Sequence, residues 1–235
     1  MPRQNRVTPY GDLAAVPDRG MFWGNRGQLL GAGGGLARYS RGRLWLICVL
    51  DFKGRRRTLW QPGRLTELFF LDEATGLAVV HRPCGECRYR RYQEFKRAWA
   101  EAFPGEPAGA AAMDVRLHAD RLAAPGIRRS YEAALADLPD GAMVELDGRA
   151  WLVLGSRLLA WSHGGYREQR ARPRRARVTV LTPRATVAVL AAGYQPVLHP
   201  TSGAARAAPP PGVSRATPPP GTTRATPPPG ASRAR

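Results

Sequence analysis

The sequence predicts an α+β protein: a β-rich N-terminal part carrying a Cys-x-x-Cys knuckle, a helical middle, a C-terminal β-hairpin followed by a βα unit, and a disordered tail. Three observations carry that reading. Within Arg88–Phe103, Tyr92, Phe95, Trp99, Ala102 and Phe103 fall on one arc at about 100° per residue, with Arg90, Glu94, Arg97 and Glu101 opposite. That is an amphipathic helix, and Pro104 stops it. Val144–Leu146 and Ala150–Leu154 flank Asp147-Gly148, a dipeptide suited to a tight two-residue hairpin turn. Residues 209–235 repeat with a period of nine as PPPGVSRAT, PPPGTTRAT and PPPGASRAR, which cannot bury a face and favours extended polyproline II.

The remaining elements follow in chain order. The first forty residues are rich in Gly and Arg and read as turns joining short strands such as Met21–Trp23 and Gln28–Leu30. Arg43–Asp51 is an apolar run of β-formers, turned by Phe52-Lys53-Gly54 into Arg56–Trp60 as a hairpin. A third strand, Thr66–Phe70, leads to Asp72, the N-cap of a helix over Ala74–Val80 that Pro83 ends. Beyond the Arg88–Phe103 helix, further helices are expected at Met113–Leu122 and Arg128–Leu138. Pro139-Asp140-Gly141 turns into the Asp-Gly hairpin, which Leu158–Ser162 extends. An Arg-rich connection, Arg167–Arg177, precedes strand Val178–Leu181 and helix Pro183–Ala192. The expected division is 1–106, 107–200 and a tail over 201–235.

Composition bounds the function. The 235 residues carry 36 Lys+Arg against 18 Asp+Glu, a net charge of +18. All but Lys53 and Lys96 of the basic residues are Arg, a preference that GC-rich coding also produces, so the shortage of acids is the stronger signal. The five tail arginines account for five charges and leave +13 on residues 1–200. A hydrophobic fraction of 43% excludes global disorder. No apolar run approaches the roughly 18 residues that span a bilayer, and the N-terminus has no signal-peptide core, so a cytoplasmic protein without membrane contact is expected. Three cysteines argue against a disulfide framework. A polyanion is the expected partner, and nucleic acid, DNA or RNA, is the commonest one.

The sharpest motif is His81-Arg82-Pro83-Cys84-Gly85-Glu86-Cys87-Arg88. Such a Cys-x-x-Cys knuckle turns two thiolates to one side, with backbone N–H groups aimed at the sulfurs, as tetrahedral zinc requires. The helix beginning just after it brings its positive end to the thiolates. Two thiolates do not make a site, so Cys48 is the candidate third ligand, and His81 and His118 are candidates for the fourth. Three alternatives remain open: Cys48 as a small buried apolar residue, Cys84 and Cys87 as a redox pair, or two unrelated thiols. A redox pair should begin a helix directly after a strand, whereas here a helix and Pro83 precede it.

Phe69–Arg88, FFLDEATGLAVVHRPCGECR, resembles the end of the metal-binding domain of Ada-type DNA alkylation-repair proteins over about twenty residues. Arg82, Pro83, Cys84 and Cys87 match that family's Arg-Pro-Cys-x-x-Cys knuckle, and His81 takes an aromatic position. The resemblance implies a zinc site completed by two more cysteines four positions apart, one of which accepts a methyl group from DNA. This sequence departs there, since Cys48 is followed four residues on by Phe52. The body as a whole, opening MPRQNRVTP, also resembles an uncharacterised bacterial family, which implies no activity.

Arginine gathers in three places: Arg55, Arg56 and Arg57 after the hairpin turn; Arg88, Arg90 and Arg91 after the knuckle; and six between 167 and 177. Guanidinium forks match phosphate oxygens, and Tyr89 is placed to stack on a base or cap a helix. The expected function is a zinc-stabilised nucleic-acid-binding protein contacting phosphates through the first two clusters. The alternatives are a repair enzyme of Ada-like type using a metal-associated cysteine, and a protein-interaction module recruiting partners through the Pro-rich tail. Gly31–Gly35 lacks the context of a nucleotide-binding loop, and Asp72 and Glu73 read as helix-cap residues rather than a catalytic pair.

Overall fold

The apolar run at 43–51 becomes an interior strand rather than half of a local hairpin. In the computed structural model, which describes residues 1–56, 58–124 and 127–204, this strand is β4 (Leu46–Val49) of a six-stranded sheet. Its companions are β1 (Arg6–Val7), β2 (Leu13–Ala14), β3 (Phe22–Asn25), β5 (Leu68–Phe70) and β6 (Arg82–Pro83), in the order β2-β1-β5-β3-β4-β6. β4 pairs antiparallel with β3, setting Trp23 opposite Cys48, and parallel with β6. The expected strand over Arg56–Trp60 is absent among the described residues, and Gln28–Leu30 contributes only an isolated bridge from Leu30 to Leu36. Long-range partners bury both edges of β4, a gain that a two-stranded ribbon cannot match.

α1 (Glu73–Ala78) starts where Asp72 caps it, accepting from the Thr75 N–H at 2.9 Å, as the sequence predicts. Its end is a left-handed turn at Val80 (φ 67°), with His81 N–H bonding to Gly76 O and Val80 N–H to Leu77 O. This is a Schellman closure with Val where Gly is usual. The core contacts of buried Val80 hold that strained conformation in place. α2 (Tyr89–Ala102) matches the amphipathic expectation and buries Phe95, Ala98 and Trp99. α3 (Ala110–Arg121) begins three residues before its expected start.

The second sheet contains β9 (Tyr131–Ala134), β10 (Met143–Leu146), β11 (Arg149–Leu154), β12 (Arg157–Ala160), β13 (Glu168–Ala171) and β14 (Arg177–Val180), in the order β13-β12-β11-β10-β14-β9. The small pair β7 (Leu122–Ala124) and β8 (Ile127–Arg128) precedes it. β10 and β11 form the expected hairpin, with Asp147 (φ 54°) and Gly148 (φ 70°) left-handed as a type I′ turn requires. The helix expected over Arg128–Leu138 is instead β9 followed by a 3-10 turn at Leu135–Asp137. Pairing along β14 and the Arg184 guanidinium over the Tyr131 ring (3.8 Å) outweigh the helical propensity of its alanines. The Arg-rich connection likewise contains an edge strand, β13, whose Arg170 pairs with Asp147.

α4 (Arg184–Ala191) follows Pro183, and its Ala185 N–H donates to Asp120 on α3. One hydrophobic core joins Ile47, Phe70 and Trp99 to Val144, Trp151, Val178 and Val189, and a second joins Leu71, Ala74 and Ala78 to Leu152, Leu159 and Leu181. The expected boundary near 106 therefore does not divide the core: Met1–Ala205 forms one compact unit. Ordered structure also continues past 200. Pro200–Ser202 forms a 3-10 turn in which Ser202 is buried and Thr201 accepts from the Tyr166 N–H. The nine-residue repeats lie outside the described residues.

Candidate metal centre

Strand register builds the site. β6 runs beside β4, with Arg82 N–H on Trp45 O and Cys84 N–H on Ile47 O, which sets Cys84 next to Cys48. Gly85 and Glu86 turn the chain, Arg88 N–H closes onto Cys84 O, and α2 begins two residues after Cys87. The side chains of Cys48, Cys84 and Cys87 converge, their sulfurs within 4.8 Å of one another. A tetrahedral ion bonded to sulfur at about 2.3 Å needs sulfurs roughly 3.8 Å apart, a spacing that falls within this limit. Cys48 and Cys84 are buried and Cys87 is half-exposed.

The metal-free thiols share protons unequally. Cys84 accepts hydrogen bonds from Cys48 and Cys87 and from the backbone N–H groups of Cys87 and Glu86, which hold it well below the ordinary thiol range. Cys48 shares its single S–H between Cys84 and Cys87 and is buried, so its thiol is pushed far up. Cys87 accepts from Cys48 and from the Val49 N–H, yet its bond to Cys84 and burial leave it raised. The hydrogen bonds among the three cysteines thus favour the ionised form at Cys84 and the neutral form at Cys48 and Cys87, with N–H donors aimed at sulfur. This donor set fits a soft divalent ion, and the three cysteines could hold one.

Neither histidine candidate joins the three sulfurs. His81 is buried between the rings of Trp45 (5.1 Å) and Phe70 (4.7 Å), with Nδ1 against Val79 O at 2.8 Å. It lies three residues before Cys84 along extended chain, so alternation sends its side chain to the opposite face. His118 sits half-buried on α3, away from the sulfurs.

Buried ion pairs fix the knuckle from both sides. Arg82 binds Asp114 through two bonds of 2.8 and 2.7 Å, and its guanidinium lies over Tyr92, whose ring packs against Gly85. Arg88 is buried on Phe22 and pairs with Glu73 at 2.9 Å, so it is a core residue and not the surface phosphate contact that the sequence suggested. Glu73 also takes Arg91 (3.3 Å), Tyr194 OH (2.6 Å) and Val197 N–H (2.8 Å). Burial alone pushes this carboxyl up, but Arg88 and Arg91 together pull it below its ordinary value. Its neighbour Asp72 accepts from Thr75, Tyr166 OH and His199 N–H, and burial leaves it raised. Sequence reading assigned both acids to capping and missed the ion-pair role of Glu73. An acid in the first turn of a short helix whose other residues are small or apolar apart from Thr75 was the available signal.

The surface arginines divide. Arg55 pairs with Glu86 at 2.8 Å, which ties the loop after β4 to the middle of the knuckle. Lys53 and Arg55 both lie over Phe52 (5.2 Å each), and Arg56 is exposed. Arg57 lies outside the described residues. Arg90 is exposed beside Glu94, whereas Arg91 is held by Glu73, Glu94 and the Gln195 carbonyl. Tyr89 (62% exposed) and Leu50 (55%) stand two residues beyond Cys87 and Cys48, leaving apolar surface beside these cations. A polar cleft of about 450 Å³ between α2 and residues 192–195 lies apart from the cysteines and mixes Arg91 and Arg97 with Glu94 and Glu101. No helix among the described residues is long and apolar enough to cross a membrane.

Fold and site together define an α+β protein with a three-cysteine cluster on a basic chain. No protein-family model, curated protein or solved structure matches it.

Proposed function

We propose that this chain is a zinc-stabilised nucleic-acid-binding protein. The observation that carries the reading is the convergence of Cys48, Cys84 and Cys87, with a basic loop tied across the knuckle by Arg55–Glu86. When bound, zinc supplies a cross-link between β4, the knuckle and the start of α2. The chain's own part is to hold Cys84 ionised and to aim N–H groups at the sulfurs. Lys53 and Arg56 are exposed on that loop, Arg55 and Arg90 are exposed in surface pairs with Glu86 and Glu94 that a phosphate can displace, and Arg57 adjoins them in sequence. Metal content of the purified, reduced protein, beside Cys84→Ser and Cys48→Ser, tests the first half: about one zinc per chain is expected, lost in both variants. Binding to duplex DNA or RNA across a salt series tests the second half. Affinity should fall with a log–log slope near −0.9 per phosphate contact on duplex DNA, and salt-independent binding refutes it.

One observation favours a second reading, alkyl transfer from methylated nucleic acid to a cysteine. Cys87 is half-exposed and directly follows Glu86, which holds Arg55. Stoichiometric cysteine labelling by methylated DNA would support it, and unlabelled protein would exclude it.

A further inference from the structure

Resting on the metal reading above, we infer that a small-molecule thiolate, not a group of this chain, completes the coordination of the metal. The chain has three cysteines and four histidines, and every Cys, His, Asp and Glu falls among the described residues. Among them, the group that converges to within 4.8 Å contains the three sulfurs alone. The carboxylates nearest in sequence are Glu86, held by Arg55, and Asp51, which is exposed. A closed structural zinc site has four protein ligands, whereas a site with three keeps a position for an exchangeable one.

The surroundings select the ligand class. Three thiolates and a divalent ion carry a net charge of about −1, and the soft donor set favours another sulfur over a hard oxygen. The loop bearing Lys53, Arg55 and Arg56 is tied to the knuckle by the Arg55–Glu86 pair, and Arg90 and the positive end of α2 follow Cys87 in sequence, against Asp51, the paired Glu86 and Glu94, which holds Arg90. That excess of positive charge offsets a second negative charge on the centre and favours a thiol that bears an acidic group. Binding would break the S–H bond of the ligand, give its proton to solvent and form one metal–sulfur bond in place of the bond to water at that position.

The test uses the full chain, kept reduced with a phosphine and loaded with cobalt(II), whose d–d and sulfur charge-transfer bands report the donor set. Mercaptoethanesulfonate and mercaptoethanol are titrated separately. The expected result is a saturable shift of one equivalent from a three-sulfur to a four-sulfur spectrum. The sulfonate should bind about threefold more tightly at low salt, a difference that Lys53→Gln/Arg56→Gln removes. Asp51→Asn/Glu86→Gln should leave the thiol-free spectrum unchanged, and a changed spectrum overturns the inference by assigning the position to a carboxylate. One cobalt per chain with no response to either thiol overturns the inference alone, as does a metal-dependent dimer whose second copy supplies the ligand. A chain that takes up no cobalt overturns the metal reading and the inference with it.

Discussion

Glu73→Gln should destabilise the folded chain by about 3–5 kcal/mol at neutral pH, because it leaves two buried or half-buried guanidinium groups facing a neutral amide. The structure supplies the terms: Arg88 at 2.9 Å, Arg91 at 3.3 Å, Tyr194 OH at 2.6 Å and Val197 N–H at 2.8 Å all donate to this one carboxylate. Gln keeps one acceptor, so two donors meet an NH₂ group. Asp72→Asn is the matched control, one residue away and equally buried. Asn caps helices as well as Asp does and keeps the Thr75 bonds, and the Tyr166 hydroxyl can turn to accept from the new NH₂ group, so the cost is the His199 contact, about 1 kcal/mol. Urea unfolding of both variants in chelator, metal-free throughout, measures the difference. Acidification supplies an independent sign. Glu73 is depressed when folded, so its contribution is complete above the unfolded value of about 4.3 and is lost as pH falls through the folded one. Asp72 is raised, so its burial penalty is present above its folded value and is relieved on acidification. Glu73→Gln should therefore lose less stability than wild type as pH falls, and Asp72→Asn more. A Glu73→Gln cost no larger than that of Asp72→Asn would refute the ion-pair reasoning.

Metal uptake near neutral pH should release about two protons, because Cys84 is already ionised while Cys48 and Cys87 are not, and affinity should rise with pH. Calorimetry in buffers of different ionisation enthalpy checks this, and uptake without proton release contradicts it. Arg90→Ala and Arg56→Ala should each lower the salt slope of duplex-DNA binding by about 0.9 with unfolding unchanged. Arg88→Ala should instead lower stability by about 3–5 kcal/mol, since it leaves Glu73 short of its closest cation. Urea curves and salt titrations on the same preparations separate the two behaviours. Gly148→Val should cost about 1–2 kcal/mol by thermal unfolding, because Gly148 holds φ 70° in the hairpin turn.

Elements whose signal lies within one segment were legible. The α2 periodicity, the Asp72 cap and the Asp147-Gly148 turn each depend on residues a few positions apart, and each stands in the structure where the sequence placed it. The absence of a 56–60 strand and of a 128–138 helix was not legible, because both follow from distant pairing: β4 takes β3 and β6 as its partners, and β9 pairs with β14. In the candidate site, Cys84 and Cys87 were visible from spacing, and Cys48 joined them once β6 paired with β4. His81 was misplaced because proximity in sequence says nothing about the face of an extended segment.

The sequence by itself determined the α+β character, the knuckle and the excess of arginine. Those properties follow from local periodicity, turn chemistry and composition. Tertiary structure alone decided which charges remain available to a ligand. Arg88 and Arg90 are two residues apart with the same side chain, yet one is buried against Glu73 and the other stands beside the knuckle in solvent. Helical rotation sends them to different faces, and the buried carboxylate that waits for only one of them comes from a helix some fifteen residues earlier.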